Sequence, residues 1–418
     1  METALADFIR DTPQGREAEA ILRACVHCGF CTATCPTYQL LGDELDGPRG
    51  RIYLMKQVLE GAEVTRTTQL HLDRCLTCRS CETTCPAGVK YGRLLDIGRS
   101  VVEQKVGRTP AEKTVRWGLR HALLTKTLFS GAVGLGRALR GLLPSDIRAK
   151  LPHALPAGEW PSPRHARKMI VLDGCVQPAL APNIDAATAR VLDRVGISLL
   201  RVAASGCCGA LPYHMDAADD AHARIRRNID AWWPHVQRGA EAIVVTASGC
   251  GVMVKDYGYV LESDRAYAAK AEKIASLARD PVEVIAAEWP RIAPKIAMDH
   301  GPQRVAFHPP CTLQHGMRLP GAVEEILLAI GLELTPVANR HLCCGSAGTY
   351  SILQPEIANQ LKANKLAALH EGRPEIIATA NIGCMTHLAS GTPIPVRHWV
   401  EILDARMVDE PRGARRGS

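Results

Sequence analysis

Apolar residues recur at helical spacing between two groups of cysteines near the amino terminus. The segment from Gly47 to Gly61 places four of them on one face of a helix, namely Ile52, Met55, Val58 and Leu59. This periodicity predicts that the amino-terminal domain is helical rather than a small β-type domain.

The second half of the chain instead alternates short β-rich runs with helical stretches. The helical stretches are Ala186–Val195 and Gly321–Ile330, and the β-rich runs, each ending in a cysteine, are Lys168–Cys175, Ala242–Cys250, Arg304–Cys311 and Glu375–Cys384. Strands that alternate with helices predict a parallel α/β sheet. Because ligands of such sheets gather at the carboxyl ends of the strands, the pattern predicts four thiols at one end of each sheet.

The cysteine spacing in this half reveals an internal duplication. Both copies read C-x31-C-C-G and close with a single cysteine after 41 or 39 further residues. The equivalent pairs are Cys175 and Cys311, Cys207 and Cys343, Cys208 and Cys344, and Cys250 and Cys384. A duplicated domain with a period of about 136 residues is the simple explanation.

The segment between the two halves is strongly basic. Residues 105–168 contain 13 lysines and arginines and three acids, so the rest of the chain carries a net charge of −3. An apolar stripe interleaves with these cations: Val115, Leu119, Leu123, Leu124, Leu128, Phe129, Leu135, Leu139, Leu142 and Leu143. Two interpretations stay open, contact with an anionic membrane surface and packing on the protein's own domains or on a partner subunit. Sparse aromatic residues argue against nucleic acid as a partner.

Composition places the chain among globular proteins. Its 418 residues, 46% hydrophobic and 22% charged, predict roughly two to four domains and exclude a disordered or collagen-like chain. It has no run of 18 apolar residues, as a membrane-spanning helix requires, and Met1–Thr12 lacks the apolar core of a secretory signal. We therefore expect a cytoplasmic protein whose cysteines bind metal rather than form disulfides.

Eight of the 16 cysteines have the spacing of bacterial two-cluster ferredoxins. Each quartet reads C-x2-C-x2-C-x3-C-P, and the two are Cys25, Cys28, Cys31, Cys35 with Pro36, and Cys75, Cys78, Cys81, Cys85 with Pro86. In that pattern the fourth cysteine of each quartet binds the other cluster. One [4Fe–4S] cluster is therefore predicted on Cys25, Cys28, Cys31 and Cys85, and the second on Cys75, Cys78, Cys81 and Cys35. Structural zinc is the alternative, but it usually takes two C-x2-C pairs farther apart.

Four arginines lie near these ligands in sequence: Arg49, Arg51, Arg74 and Arg79. They can raise the reduction potential of a cluster, dock a partner protein, or form an ordinary solvated surface. The sequence favours none of the three.

The other eight cysteines carry a less specific signal. Adjacent cysteines such as Cys207 and Cys208 can bind separate metals or form a redox disulfide, and the glycine that follows allows the backbone to approach a cluster closely. The alternative is a pair of docking domains with remnant cysteines. Each histidine nearby in sequence (His308, His315 and His341) is expected to be a hydrogen-bonding residue rather than a ligand.

Several catalytic motifs are missing from the sequence. It contains no dinucleotide-binding glycine motif after a strand, no phosphate-binding loop and no nucleophile elbow. Flavin or nicotinamide chemistry is therefore expected elsewhere, and no catalytic residue is predicted in this chain. An electron-transfer subunit is the economical conclusion.

Two segments closely resemble the iron–sulfur subunits of bacterial glycolate oxidase: RACVHCGFCTATCPTYQLLGDELDGPRGRIYL (Arg23–Leu54) and HLDRCLTCRSCETTCPAGVKYGRLLDIGR (His71–Arg99). The resemblance covers nearly the whole chain. It implies two [4Fe–4S] clusters and a complex with FAD-binding subunits that oxidise glycolate to glyoxylate. It also implies onward transfer of the electrons to a quinone-type acceptor, at the inner face of the cytoplasmic membrane.

The wider group offers two alternatives. One is an iron–sulfur subunit of a related lactate or glycerol-3-phosphate dehydrogenase. The other is a catalytic subunit similar to heterodisulfide reductase, acting at the cysteines of the duplicated domain.

The resemblance and the patterns together predict an α+β multidomain protein. Its parts are a helical ferredoxin domain (1–104), a basic helical linker (105–167), and two tandem α/β cysteine-rich (CCG) domains (168–300 and 301–418), the second with a C-terminal tail. The full CCG motif ends in C-x2-C, but Ala247 and Asn381 replace the first cysteine of each pair. Five-cysteine, non-cubane clusters are therefore not expected, while a further four-cysteine cluster in one or both copies stays open.

Overall fold

The amino-terminal domain is helical, as predicted. The computed structural model describes residues 1–144, 148, 151, 156–297, 301 and 303–408. Its first domain contains α1 (Asp7–Arg10), α2 (Pro13–Ala24), α3 (Pro36–Leu41), α4 (Pro48–Leu59), α5 (Arg66–Asp73), α6 (Ser80–Thr84) and α7 (Tyr91–Val106). Helix α4 buries the apolar face predicted from the sequence, since Ile52, Met55, Val58 and Leu59 all lie in the domain core.

The linker begins as two helices, α8 (Pro110–Leu124) and α9 (Lys126–Ala138). Thr109 and Glu112 form a capping box that starts α8 after the end of α7, two residues beyond the predicted boundary at 104. Residues 145–147, 149–150 and 152–155 of the predicted linker, and 409–418 of the predicted tail, lie outside the described residues.

One side of the linker packs on the first CCG copy and the other faces solvent. Lys126 pairs with Asp173, and Arg137 donates to the carbonyl oxygens of Ala179 and Leu180 at 3.1 Å. Half of the ten residues of the predicted apolar stripe are nevertheless exposed, namely Val115, Leu128, Leu135, Leu139 and Leu142. Packing on the protein's own domain therefore accounts for only part of the stripe.

The first CCG copy is a four-stranded parallel sheet with the strand order β2-β1-β3-β4. Its strands are β1 (Arg167–Val171), β2 (Ile197–Arg201), β3 (Ile243–Val244) and β4 (Ala278–Arg279). Its helices are α10 (Gln177–Leu180), α11 (Asn183–Asp193), α12 (Ala210–His214), α13 (Ala218–Gln237), α14 (Ser248–Lys255), α15 (Tyr257–Val260), α16 (Ala268–Leu277), α17 (Pro281–Ala287) and α18 (Trp289–Ile292).

The second copy repeats this topology in the order β6-β5-β7-β8, which agrees with the predicted duplication. Its strands are β5 (Arg304–His308), β6 (Glu333–Leu334), β7 (Ile376–Thr379) and β8 (Val396–His398). Its helices are α19 (Ala322–Ala329), α20 (Tyr350–Leu353), α21 (Pro355–His370), α22 (Ile382–Ala389) and α23 (Trp399–Arg406).

The two copies share one hydrophobic core. Val171 and Ile197 of the first sheet belong to the same buried cluster as Val305 of the second. At the edge of this core, Arg190 of α11 donates to Asp404 of α23 at 2.6 Å. The two copies therefore pack directly against each other.

The cysteines lie near the carboxyl ends of the central strands, though not all as predicted. Cys175 and Cys311 follow β1 and β5, whereas Cys250 and Cys384 sit in the first turns of α14 and α22. The strands in these two runs, β3 and β7, are short and end before the cysteine is reached. Among the described helices, none combines the length and apolarity that crossing a membrane requires.

Candidate iron–sulfur site

Both ferredoxin loops turn their backbone twice through the left-handed region. His27 (φ 59°) and Gly29 (φ 85°) in the first loop match Thr77 (φ 55°) and Arg79 (φ 59°) in the second. Residues other than glycine rarely adopt this conformation, so its occurrence at equivalent positions indicates that both loops need the same backbone geometry. Such turns aim backbone N–H groups into a concave nest that binds anions, and the Thr77 N–H donates to the Cys75 sulfur at 3.4 Å.

The first cavity collects cysteines from both quartets. It is lined by Cys25, Cys28, Cys31 and Cys85, together with Cys81. Burial, followed by the charges of Cys25, Cys28 and Cys85, raises the pKa of Cys31 to about 11. The fourth cysteine of the second quartet therefore lines the same cavity as the first three of the first quartet, as does Cys81.

The second cavity holds the reciprocal set. It is lined by Cys35, Cys75, Cys78 and Cys81. Pro48, Tyr91 and Cys81 line both cavities, so the two sites share a wall. Two iron–sulfur clusters bound in these cavities would be immediate neighbours.

The donors fit two four-iron clusters rather than single zinc ions. Bonds of about 2.0–2.3 Å would place the ligands of a tetrahedral zinc ion roughly 3.5–3.8 Å apart. Among the described residues, the groups of three donors that lie within 4.8 Å of one another include no ferredoxin cysteine. The wider sulfur spacing and the inward N–H donors suit an iron–sulfur cube.

The four arginines near the ligands are all paired within this chain. Their partners are Glu44 for Arg49 (2.6 Å), Asp46 for both Arg51 (3.2 Å) and Arg74 (2.8 Å), and Asp256 of the first CCG copy for Arg79 (2.8 Å). These pairs hold the loops in place, and Arg79 ties the second loop to α14 and α15 of the neighbouring domain.

Two further residues support the second loop, and sequence reasoning missed both. Arg99 donates to the carbonyl oxygens of Leu72 (2.7 Å) and Cys75 (2.8 Å) and to the Thr77 hydroxyl (3.2 Å). The Tyr91 hydroxyl contacts the Cys75 sulfur at 3.6 Å. No local spacing marks these residues, because they reach the loop from α7 through the tertiary fold.

The first CCG copy brings its four cysteines together. Cys207 interacts through its thiol with Cys175 and Cys208, and Cys208 interacts with Cys250. Gly209, at φ 93°, donates its N–H to the Cys207 sulfur at 3.4 Å. The four thiols therefore form one row beside the sheet.

The second copy gathers the equivalent thiols. The sulfurs of Cys311 and Cys343 are 3.8 Å apart, and Cys344 interacts with Cys384. A Cβ on Gly345 would lie 2.5 Å from the carbonyl oxygen of Ala358 in α21. This glycine thus permits the close approach of a helix, whereas the sequence suggested the close approach of a cluster.

The adjacent cysteines of the second copy lie in different surroundings. Cys343 packs with Leu76 and Tyr350, in a cluster that also contacts Cys78 and Cys311. Cys344 instead packs inside the second copy, with Cys384. The second ferredoxin cavity is therefore covered by the Cys311–Cys343 side of this domain.

Two of the histidines near these thiols, His315 and His308, differ in their hydrogen bonding. His315 hydrogen bonds to the Thr83 hydroxyl (2.8 Å) and the His341 carbonyl oxygen (3.1 Å), as expected of a hydrogen-bonding residue. The same expectation is wrong for His308, whose two ring nitrogens are buried without a hydrogen-bond partner in the described structure. Burial lowers the pKa of His308 well below its usual range, so its ring is neutral. The sequence did contain a signal: Leu172 occupies the equivalent position of the first copy.

Comparison with known proteins agrees with this architecture. Residues 21–89 match the family model of the 4Fe-4S dicluster domain, and residues 169–255 and 305–389 match that of the cysteine-rich domain. The glycolate oxidase iron-sulfur subunit of Escherichia coli (strain K12) is 56% identical over 411 residues, which cover 98% of this chain and all of that protein.

More distant relatives extend the pattern. The probable glycolate oxidase iron-sulfur subunit of Bacillus subtilis (strain 168) is 29% identical over 90% of each chain. Lactate utilization protein A of Bacillus licheniformis is 25% identical, over 56% of this chain and 97% of that protein. The near-complete coverage at high identity shows that this chain belongs to the family of glycolate oxidase iron–sulfur subunits.

Proposed function

We propose that this chain is the electron-transfer subunit of a glycolate oxidase complex, and that glycolate is oxidised on a partner subunit that binds FAD. The observation that carries the proposal is that the eight cysteines of the two quartets line two adjacent cavities, with Cys81 lining both. Glycolate is proposed as the substrate because nearly the whole chain is similar to a glycolate oxidase iron-sulfur subunit.

The electron balance is consistent with such a subunit. Oxidation of glycolate to glyoxylate releases two electrons and two protons, which a flavin accepts together. A bound [4Fe–4S] cluster exchanges electrons singly. A quinone-type acceptor then takes up two electrons with two protons from solvent, which completes the reaction.

The face around Cys28 supports docking of the FAD-binding subunit. Cys28 is exposed, and its neighbours Val26 and Phe30 are 70% and 63% exposed. The side chain of Tyr53 is 45% exposed. Val26 and Phe30 line the first cavity. Exposed apolar groups clustered at one site are typical of protein interfaces, so this face suits electron entry.

The second cavity faces the cysteine-rich copies, which suits electron exit. Leu76 and Cys78 pack with Cys343 of the second copy, and the Tyr350 hydroxyl donates to the carbonyl oxygen of Arg74 at 2.9 Å. Whether the CCG thiols bind a further iron–sulfur cluster stays a prediction of the sequence.

Glycolate added to the purified complex is expected to reduce the partner flavin and then to give the EPR signals of two reduced ferredoxin clusters, with at least about eight irons per chain. The double substitution V26S/F30S should slow reduction of the clusters but not of the flavin, because it removes the apolar contacts of the entry face. Leu70→Ser, an exposed leucine on α5, is the matched control. Clusters that stay oxidised in the wild-type complex contradict the electron-transfer role, whereas unchanged kinetics in V26S/F30S contradict only the docking face.

The exposed side of the linker supports contact with an anionic membrane surface, where a quinone would be found. Leu128, Leu135 and Leu142 are 55%, 61% and 84% exposed, within a segment rich in lysine and arginine. Apolar residues among basic ones favour the interface of a bilayer with anionic lipids.

Substituting these three leucines with serine is expected to weaken binding of the complex to phosphatidylglycerol vesicles by about tenfold or more, because their burial in the interface is lost. Vesicle co-sedimentation measures the effect. Leu328→Ser is the control, because this leucine of the second CCG copy is as exposed as Leu128. Equal binding by the triple variant and the wild type rules out this surface.

A further inference from the structure

His308 is a buried polar residue that no hydrogen bond explains. It ends strand β5, is fully buried, and has no partner for either ring nitrogen among the described residues. Leaving a buried polar group unsatisfied costs about 1–3 kcal/mol, so native proteins rarely do so without a reason.

Two thiols converge on this ring. One ligand atom from each of His308, Cys344 and Cys384 lies within 4.8 Å of the other two, and all three residues are buried. They come from three separate places in the chain: the end of β5, the loop after β6 and the first turn of α22. This spacing approaches the roughly 3.5–3.8 Å between the ligands of a tetrahedral zinc ion.

The surroundings suit a cation held by thiolates. The Asn381 amide donates to the Cys384 sulfur at 3.6 Å, from the position where the full family motif has a cysteine. The buried Lys365 lies close enough to interact electrostatically with Cys344 and Cys384. Around them the walls are apolar, including Ala306, Leu366, Leu369, Ile377 and Leu388. Outer hydrogen bonds of this kind orient metal ligands and stabilise their charged form.

The first copy lacks the third donor. With the period of 136 residues, Leu172 takes the place of His308, while Cys208 and Cys250 match the two thiols. Leu172 is buried in the core of its own copy, packed in the same cluster as Cys208. The three-donor set is therefore specific to the second copy.

We infer that the second CCG copy binds one Zn²⁺-like ion through His308, Cys344 and Cys384. Imidazole and thiolate are the donors that such borderline-soft divalent ions prefer. The ion would fasten β5, the CCG loop and α22 to one another, and Cys343, next to Cys344, would be fixed against the second ferredoxin cavity. The inference does not depend on the proposed function, because it concerns a site that carries no electrons.

Metal analysis of the purified complex, prepared without a polyhistidine tag, tests this site. We expect about one zinc per chain, with two sulfur neighbours at about 2.3 Å, one nitrogen at about 2.0 Å and one water oxygen that completes the tetrahedron, in zinc-edge X-ray absorption. His308→Leu, which introduces the residue of the first copy, should lose the zinc and keep the iron. His308→Cys should retain the zinc, and His315→Asn, a nearby histidine with its own hydrogen bonds, should leave it unchanged.

The inference is overturned if the wild-type complex contains no zinc, if H308L keeps its zinc, or if H308L loses iron and sulfide in its place, which would indicate a cluster. X-ray absorption on the wild type needs no variant, so the test holds even if H308L does not fold. A zinc environment without nitrogen, or without sulfur, also overturns it.

Discussion

Replacing Cys28 with serine is expected to reduce glycolate-dependent reduction of a soluble quinone analogue to background, while glycolate still reduces the flavin of the partner subunit. Serine offers a hard oxygen where iron prefers a soft thiolate, so the first cavity would lose one of its four ligands. Cys28 is also the exposed cysteine of the entry face. The loss should therefore block the transfer of electrons out of the flavin rather than the oxidation of glycolate.

Cys78→Ser should give the same loss of acceptor reduction with a different spectrum. Cys78 lines the second cavity and not the first, so the set of Cys25, Cys28, Cys31 and Cys85 remains complete. EPR after addition of glycolate should then show one reduced cluster, whereas Cys28→Ser should show none. The pair of variants thus tests both the role of the clusters and their order.

Ala33→Ser is the control for both variants. Ala33 is exposed and lies in the first loop between Cys31 and Cys35. Its substitution by serine adds the same hydroxyl group without removing a ligand. Full acceptor reduction is expected for this variant. If Cys28→Ser or Cys78→Ser retains wild-type acceptor reduction, the electron-transfer role is wrong.

The sequence predicted those parts of the structure that depend on local spacing. The eight cysteines of the two quartets line two adjacent cavities, and the apolar residues of α4 are buried as their periodicity predicted. The duplication predicted from the cysteine period agrees with two sheets of the same topology. In each case the determining information lies in one segment or in its repetition.

The missing parts depend on contacts between distant segments. Asp404 meets Arg190 across more than 200 residues, and Arg79 reaches Asp256 in another domain. His308 looked like an ordinary histidine until the fold placed it beside Cys344 and Cys384. Such convergence follows from tertiary packing, which no spacing along the chain reports.

The second ferredoxin site rests on a buried charge cluster that sequence reasoning treated as a set of separate arginines. Asp46 is completely buried and accepts hydrogen bonds from Arg51 at 3.2 Å and from Arg74 at 2.8 Å. Arg51, itself 1% exposed, also donates to the Thr37 hydroxyl at 3.1 Å. That hydroxyl lies 3.3 Å from the Cys35 sulfur, so the charge cluster supports the fourth ligand of the site.

Asp46→Ala is therefore expected to destabilise the region of α4 by about 3–5 kcal/mol and to release iron from the second site. The reason is that Arg51 would remain buried without its counter-charge. Hydrogen exchange of the α4 amides in the full chain measures the local free energy of opening, and iron analysis measures the second effect. Glu44→Ala is the control, because the Glu44–Arg49 pair is about 40% exposed and should contribute no more than about 1 kcal/mol.

The double variant D46A/R51M separates charge from contact. It removes both buried charges and keeps a long apolar side chain at position 51, so it should cost less than Asp46→Ala alone. A double variant as unstable as the single one would mean that the hydrogen bond from Arg51 to Thr37, rather than charge compensation, holds Cys35 in place. Equal protection of α4 in Asp46→Ala and Glu44→Ala would instead show that the buried cluster contributes no more than an exposed ion pair.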